Sequence, residues 1–130
     1  MSVGIIKKGT LLMPSGNADH LFIICSDPIF YLKLGKDCFL SVNITSIKPD
    51  IEHDNSCILN AGDHPFVHHP SYVLYRKADI FGVVTISQSI AEGDISIHHP
   101  CDDALFTRVM AGFAISNALK PSILNFYSFL

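Results

Sequence analysis

Between His20 and Ser26 the chain reads HLFIICS, an apolar stretch of strand length that no polar residue interrupts from Leu21 to Cys25, closed by Asp27-Pro28. A strand of this composition has no face to offer to water and must be covered on both sides. A second such segment, Phe39-Leu40-Ser41-Val42-Asn43-Ile44-Thr45, alternates enough to set its polar residues on one face, and Thr45-Ser46 stands at its end. These two runs are expected to be the central strands of one strongly bent sheet, and the rest of the chain has to supply its cover.

Weaker signals fill in the order. Lys8 to Met13 reads as a first strand stopped by the turn residues Pro14-Ser15-Gly16-Asn17. Cys57-Ile58-Leu59 is a short strand, Ser71 to Tyr75 a clearer one with aromatic and β-branched residues, and Val83 to Ile86 an extended segment, before a turn at Gly93-Asp94. After Pro100 the pattern changes. With Asp102 or Asp103 as N-cap, Leu105, Phe106, Val109, Met110 and Phe113 fall on one stripe of a helix, and a second short helix starts at Pro121. No internal repeat or linker divides the chain. The expectation is one domain over residues 1–130, with strands in 1–100 and a helical segment in 101–130. Its class is mainly β with a C-terminal helix (α+β), a small barrel or half-barrel with the helix packed across an opening.

A chain of 130 residues can bury a core without disulfide staples. The N-terminal MSVGIIKKGTLLMPSG shows no apolar leader, and no stretch approaches a membrane span, so a cytoplasmic protein without membrane contact is expected. In that setting Cys25, Cys38, Cys57 and Cys101, which lack any CxxC spacing, read as buried thiols. Apolar residues make up 48% of the chain and charged residues 16%, which calls for a partner surface and a homodimer. The aromatic C-terminal residues Phe126, Tyr127 and Phe129 are the candidates for that contact, or for one with an antitoxin-like protein. The net charge of −3 excludes global electrostatic attraction to nucleic acid, so any polyanion contact must be local.

The histidines invite chemistry. His64, His68 and His69 lie in AGDHPFVHHPSYVLY, and His98-His99-Pro100-Cys101 supplies further soft ligands. The His64/His68 spacing would align two ligands on a helix, but Pro65 and Pro70 exclude one. Gly62-Asp63-His64-Pro65 is better explained as a shaped loop, and neither a metal nor another cofactor is expected. A metalloprotein joining the two clusters stays open as a minority alternative. Another role for the loop is to bring His64 and Ser71 to a groove beside Thr45.

The order of a Lys-Gly-Thr strand, an apolar strand ending in Ser26, a strand ending Ile44-Thr45-Ser46 and a late strand opening Ser71-Tyr72-Val73 resembles the PemK/MazF-type toxin endoribonucleases. The resemblance spans Lys8 to Ile80 and implies an SH3-like barrel with a C-terminal helix. It further implies single-stranded RNA as ligand, with the family's phosphate-contacting Thr-Ser pair at Thr45 and Ser46. The family's second strand commonly opens with a catalytic arginine, and His20 stands in its place. A histidine near its ordinary pKa can move a proton in either direction but lacks the fixed charge of the guanidinium, which Arg76 or Lys77 would have to supply. The expected function is therefore a PemK/MazF-like barrel, degenerate in its chemistry, that binds RNA, a ligand or a protein without cleaving it. The alternative is a metal-independent endoribonuclease of a toxin–antitoxin system, with His20, Thr45 and Ser46 catalytic and His64, Ser71, Arg76 and Lys77 binding.

Overall fold

The two apolar runs form neighbouring antiparallel strands in the computed structural model, which describes residues 4–130. Met1 to Val3, the start of the segment read above for a leader, lie outside the described residues. The elements are β1 (Thr10–Ser15), β2 (Ala18–Ile24), β3 (Ile29–Tyr31), β4 (Lys36–Ser46), β5 (Ile58–Leu59), β6 (Ser71–Val73), a 3-10 turn (Tyr75–Lys77), β7 (Asp79–Gly82), α1 (Val83–Ala91), β8 (Ser96–His98), α2 (Asp103–Ile115) and α3 (Pro121–Tyr127). Among the described residues the strands form one eight-stranded sheet in the order β5-β6-β4-β2-β1-β8, with β3 and β7 also on β4. Every pairing is antiparallel. The fold is mixed α+β, with an antiparallel sheet that is not closed on itself.

The uninterrupted apolar run from Leu21 in β2 has a direct cause. Leu21 and Ile23 enter a core shared with Leu105, Phe106, Val109 and Phe113 of α2 and with Ile123 and Phe126 of α3. Ile24 enters a second core with Leu11, Met13 and Phe39 and with Val83 and Ile86 of α1. In β4 the same division follows the pleat: Cys38, Leu40, Val42 and Ile44 belong to the first core, and Phe39 to the second. All four cysteines, Cys25, Cys38, Cys57 and Cys101, are free and buried, the state expected of them from the sequence.

α1 corrects the expectation of an extended segment at Val83 to Ile86. Its β-branched residues favour strand locally, but Val83, Ile86 and Ile90 recur at helical spacing and pack on the second core. Gly93, at φ +85°, then ends the helix in the left-handed conformation. The expected strand Ser71 to Tyr75 also stops early, at Val73. α2 begins as its sequence indicates, with the Asp102 carboxylate accepting from the Leu105 amide at 2.7 Å. No helix among the described residues is long and apolar enough to cross a membrane. Phe126 is fully buried, so of the aromatic residues near the end only Tyr127, partly, and Phe129, at 63% exposure, reach the surface.

Tyr75, also fully buried, ties α2 to the sheet. Its hydroxyl donates to the Val109 carbonyl at 2.7 Å, and its ring meets Phe113 edge-on at 5.1 Å between centroids. Gly112 makes the room, because a Cβ there would overlap the Tyr75 hydroxyl and ring. Glycine to alanine inside a helix ordinarily stabilises by about 1 kcal/mol. Here Gly112→Ala should instead destabilise by about 2 kcal/mol through overpacking, and Tyr75→Phe by about 1 kcal/mol through the lost hydrogen bond. Urea unfolding measures both, and a Gly112→Ala variant as stable as the parent would contradict this packing.

Candidate functional site

Because Leu40, Val42 and Ile44 turn into the first core, the intervening residues of β4 face the other way, and at its C-terminal end these are Asn43 and Thr45. They line a cleft of about 260 Å³. β2 contributes His20, whose Nδ1 lies 3.5 Å from the Ile44 carbonyl. The β2–β4 pairing ends at Phe22↔Asn43, and just beyond it His20 and Thr45 both line the cleft. On the other edge of β4, Tyr72 pairs with Thr45 and brings β6 to the cleft, followed by Leu74 and the 3-10 turn residues Arg76 and Lys77. The segment after β4 closes the rim with Lys48, Ile51 and His53, and the His53 and Tyr72 rings lie 5.2 Å apart at 42°. Ser46 also lines the cleft and shares a 2.9 Å hydrogen bond with Nε2 of His69.

Charge distinguishes this cleft from the two depressions that adjoin it, which are lined by Asp50, Glu52 and Asp54. It is lined by Lys48, Arg76 and Lys77 together with His20 and His53, and by no carboxylate. The ion pairs among the described residues are Lys8–Asp103 and Arg108–Asp63, so none of the three cleft cations forms one. Asn43 is only 5% exposed, and its amide lines the cleft wall. A buried amide, hydroxyls and uncompensated cations gathered without an acid are suited to an anion, which accepts hydrogen bonds and offers charge.

The structure thus brings together His20, Thr45, Ser46, Arg76 and Lys77 from separate parts of the sequence. It places His64 and Ser71 elsewhere. Ser71 is buried, its hydroxyl donating to the His69 carbonyl at 2.9 Å. His64 is 2% exposed and meets the second histidine cluster, with its ring 5.4 Å from His98 and 6.1 Å from His99. Both its nitrogens are engaged by backbone: Nε2 lies 2.5 Å from the His99 carbonyl and Nδ1 accepts from the Phe66 amide at 3.0 Å. That fixes a neutral tautomer, leaves no lone pair for a metal, and makes His64 a latch between its loop and the segment leading into α2. Among the described residues no three His, Cys, Asp or Glu side chains converge as a metal site would require. Asn43, Lys48 and His53 of the cleft carry no motif in the sequence. Lys48, two residues beyond Thr45-Ser46, was the nearest to a legible signal. No protein-family model matches the chain, nor does any curated protein or solved structure.

Burial pushes the His64 pKa below its ordinary value; the His98 and His99 imidazoles act in the same direction, while the bond to the His99 carbonyl and the Asp102 carboxylate oppose it. A group whose pKa is lowered on folding adds stability above its unfolded pKa of about 6.5 and withdraws it as pH falls below that value. Urea unfolding between pH 7.5 and 5 should therefore show stability falling with acid, and His64→Gln should flatten that slope while lowering stability at pH 7.5. A slope identical in the two proteins would contradict the latch.

Proposed function

We propose that the chain is a PemK/MazF-like protein whose cleft binds the backbone of single-stranded RNA without cleaving it. The observation that carries this reading is the acid-free lining of Lys48, Arg76 and Lys77 beside Thr45 in a protein of net charge −3. The overall charge repels phosphate, so a local concentration of unpaired cations is what a polyanion would seek. The reading takes the eight-stranded sheet as an opened SH3-like barrel. It is supported by Thr45 and Ser46 standing at the end of the strand on which most of the sheet pairs, and by α2 packed over the first core.

One observation favours a second reading, metal-independent cleavage. His20, His53 and Arg76 line the same cleft, so two imidazoles and a fixed cation are available around one phosphate. One imidazole would take the 2′-hydroxyl proton as that oxygen attacks the adjacent phosphorus. The other would protonate the departing 5′-oxygen, leaving a 2′,3′-cyclic phosphate, while Arg76 offsets the charge of the phosphorane. The arginine missing from β2 would then be supplied from the 3-10 turn.

Equilibrium binding of a single-stranded RNA at several salt concentrations tests the first reading. Three cations facing phosphates should give a slope of log K against log salt of about −2, and Arg76→Ala should reduce it by about 0.7. Binding absent at low salt, or unaffected by Arg76→Ala, would contradict it. Product analysis on the same RNA in EDTA separates the readings: binding alone leaves the strand intact at every pH. Cleavage would install the second reading, in which His20→Ala should slow the reaction roughly 10²- to 10⁴-fold.

We further propose that the chain is a homodimer through the face where β3 and its following turn meet α3. Ile29, Phe30, Tyr31, Leu32, Lys33, Asn125 and Phe129 line an apolar groove there, with Phe30 62%, Leu32 84% and Phe129 63% exposed. Lys33 is its single charge, so a two-fold copy can set apolar surface against apolar surface. Light scattering should report the dimer mass, and Leu32→Lys with Phe129→Lys should give monomer. A monomer mass for the unaltered chain over a wide concentration range would contradict this assembly.

A further inference from the structure

The anion cleft does not end at His53 and Tyr72. Together with Ile51, Leu74 and Arg76, these two residues also line a second depression of about 280 Å³, which adds Glu52, Asp54 and Ala118. The two ends differ in character: the first has cations without acids, whereas the second has carboxylates, with Arg76 between them. The carboxylates are not equivalent. Asp54 accepts from the Ser56 amide at 2.9 Å, the Ser56 hydroxyl at 2.5 Å and the Ser116 hydroxyl at 2.6 Å. Burial alone would raise its pKa, but those donors outweigh burial and hold it below the ordinary carboxylate value. Asp54 is therefore committed to joining its loop to the end of α2. Glu52 is exposed and belongs to neither ion pair of the described residues.

A polynucleotide whose phosphate lies in the cationic end must place an adjacent base somewhere, and the two aromatic rings that line both depressions lie 5.2 Å apart. Every base has a π-face that stacks on such rings. A free carboxylate beside them accepts from an amino group, as on cytosine, and opposes the carbonyl that uracil presents at the same position. We infer that His53 and Tyr72 form a stacking platform for one nucleobase and that Glu52 reads its edge in favour of cytosine over uracil. This inference rests on the RNA-binding reading of the cleft and adds to it a base-specific subsite.

Fluorescence anisotropy with end-labelled pentamers of cytidine, of uridine and of an abasic sugar-phosphate backbone tests it. The cytidine pentamer should bind about tenfold more tightly than the uridine pentamer, and the abasic chain about tenfold more weakly than cytidine. Tyr72→Leu should lower cytidine binding to the abasic level without changing the salt slope, while Tyr72→Phe retains it. Glu52→Gln, which can both accept and donate, should bring cytidine and uridine within about twofold of each other. Abasic and cytidine pentamers bound equally, or a Tyr72→Leu variant that folds and binds as the parent does, would overturn the subsite and leave the anion cleft standing. Uridine preferred by the unaltered chain would overturn the role of Glu52. If none of the three pentamers binds, the anion reading falls and the base subsite falls with it.

Discussion

Eleven consecutive residues, Lys36–Ser46, form the strand against which most of the sheet is assembled. One edge of β4 pairs with β3 and then β2, the other with β7 and then β6. Alternation along this strand divides its side chains between covered faces, so a slip of one residue would move Leu40, Val42 and Ile44 out of the core they share with α2 and α3. The register is therefore fixed by burial, and whatever projects from the opposite face at its end is fixed too. Asn43 and Thr45 are held in place by the packing of the residues between and beside them.

Helices on both sides complete that constraint. α1 covers the face carrying Phe39, and α2 and α3 cover the face carrying Leu40 and Val42. The contact between Tyr75 and the Val109 carbonyl joins α2 to the segment that carries Arg76 and Lys77. Two cations of the cleft thus follow directly after a fully buried anchor, which gives exposed, flexible side chains a rigid point of attachment. His64 does comparable work at a distance, closing its loop onto the segment that enters α2 rather than acting at the cleft.

Much of this was legible because strand-length apolar runs leave few alternatives. β2, β4 and the capped helix α2 follow from composition and spacing, and with β2 and β4 adjacent, His20 and Thr45 come together. α1 was not legible as a helix, since Val83-Val84-Thr85-Ile86 carries strand propensity and only the second core, built from distant residues, rewards the helical spacing. His64 and Ser71 misled for a related reason. A histidine in a Gly- and Pro-shaped loop looks available, and only the tertiary approach of His99 reveals that both its nitrogens are used. His53 gave no signal of its own, because its significance depends on the Tyr72 ring arriving from another strand.

The proposed function depends on the cluster of cations and hydroxyls at the end of β4, lined by no carboxylate, receiving a nucleic-acid backbone. Backbone amide chemical-shift mapping during titration with a short single-stranded RNA tests it most directly. The account predicts that the largest perturbations fall on Asn43, Thr45, Ser46, Tyr72, Arg76 and Lys77, contiguous on one face and fading as salt rises. Perturbations centred instead on the apolar groove around Phe30 and Phe129, or none at all at low salt, would contradict it.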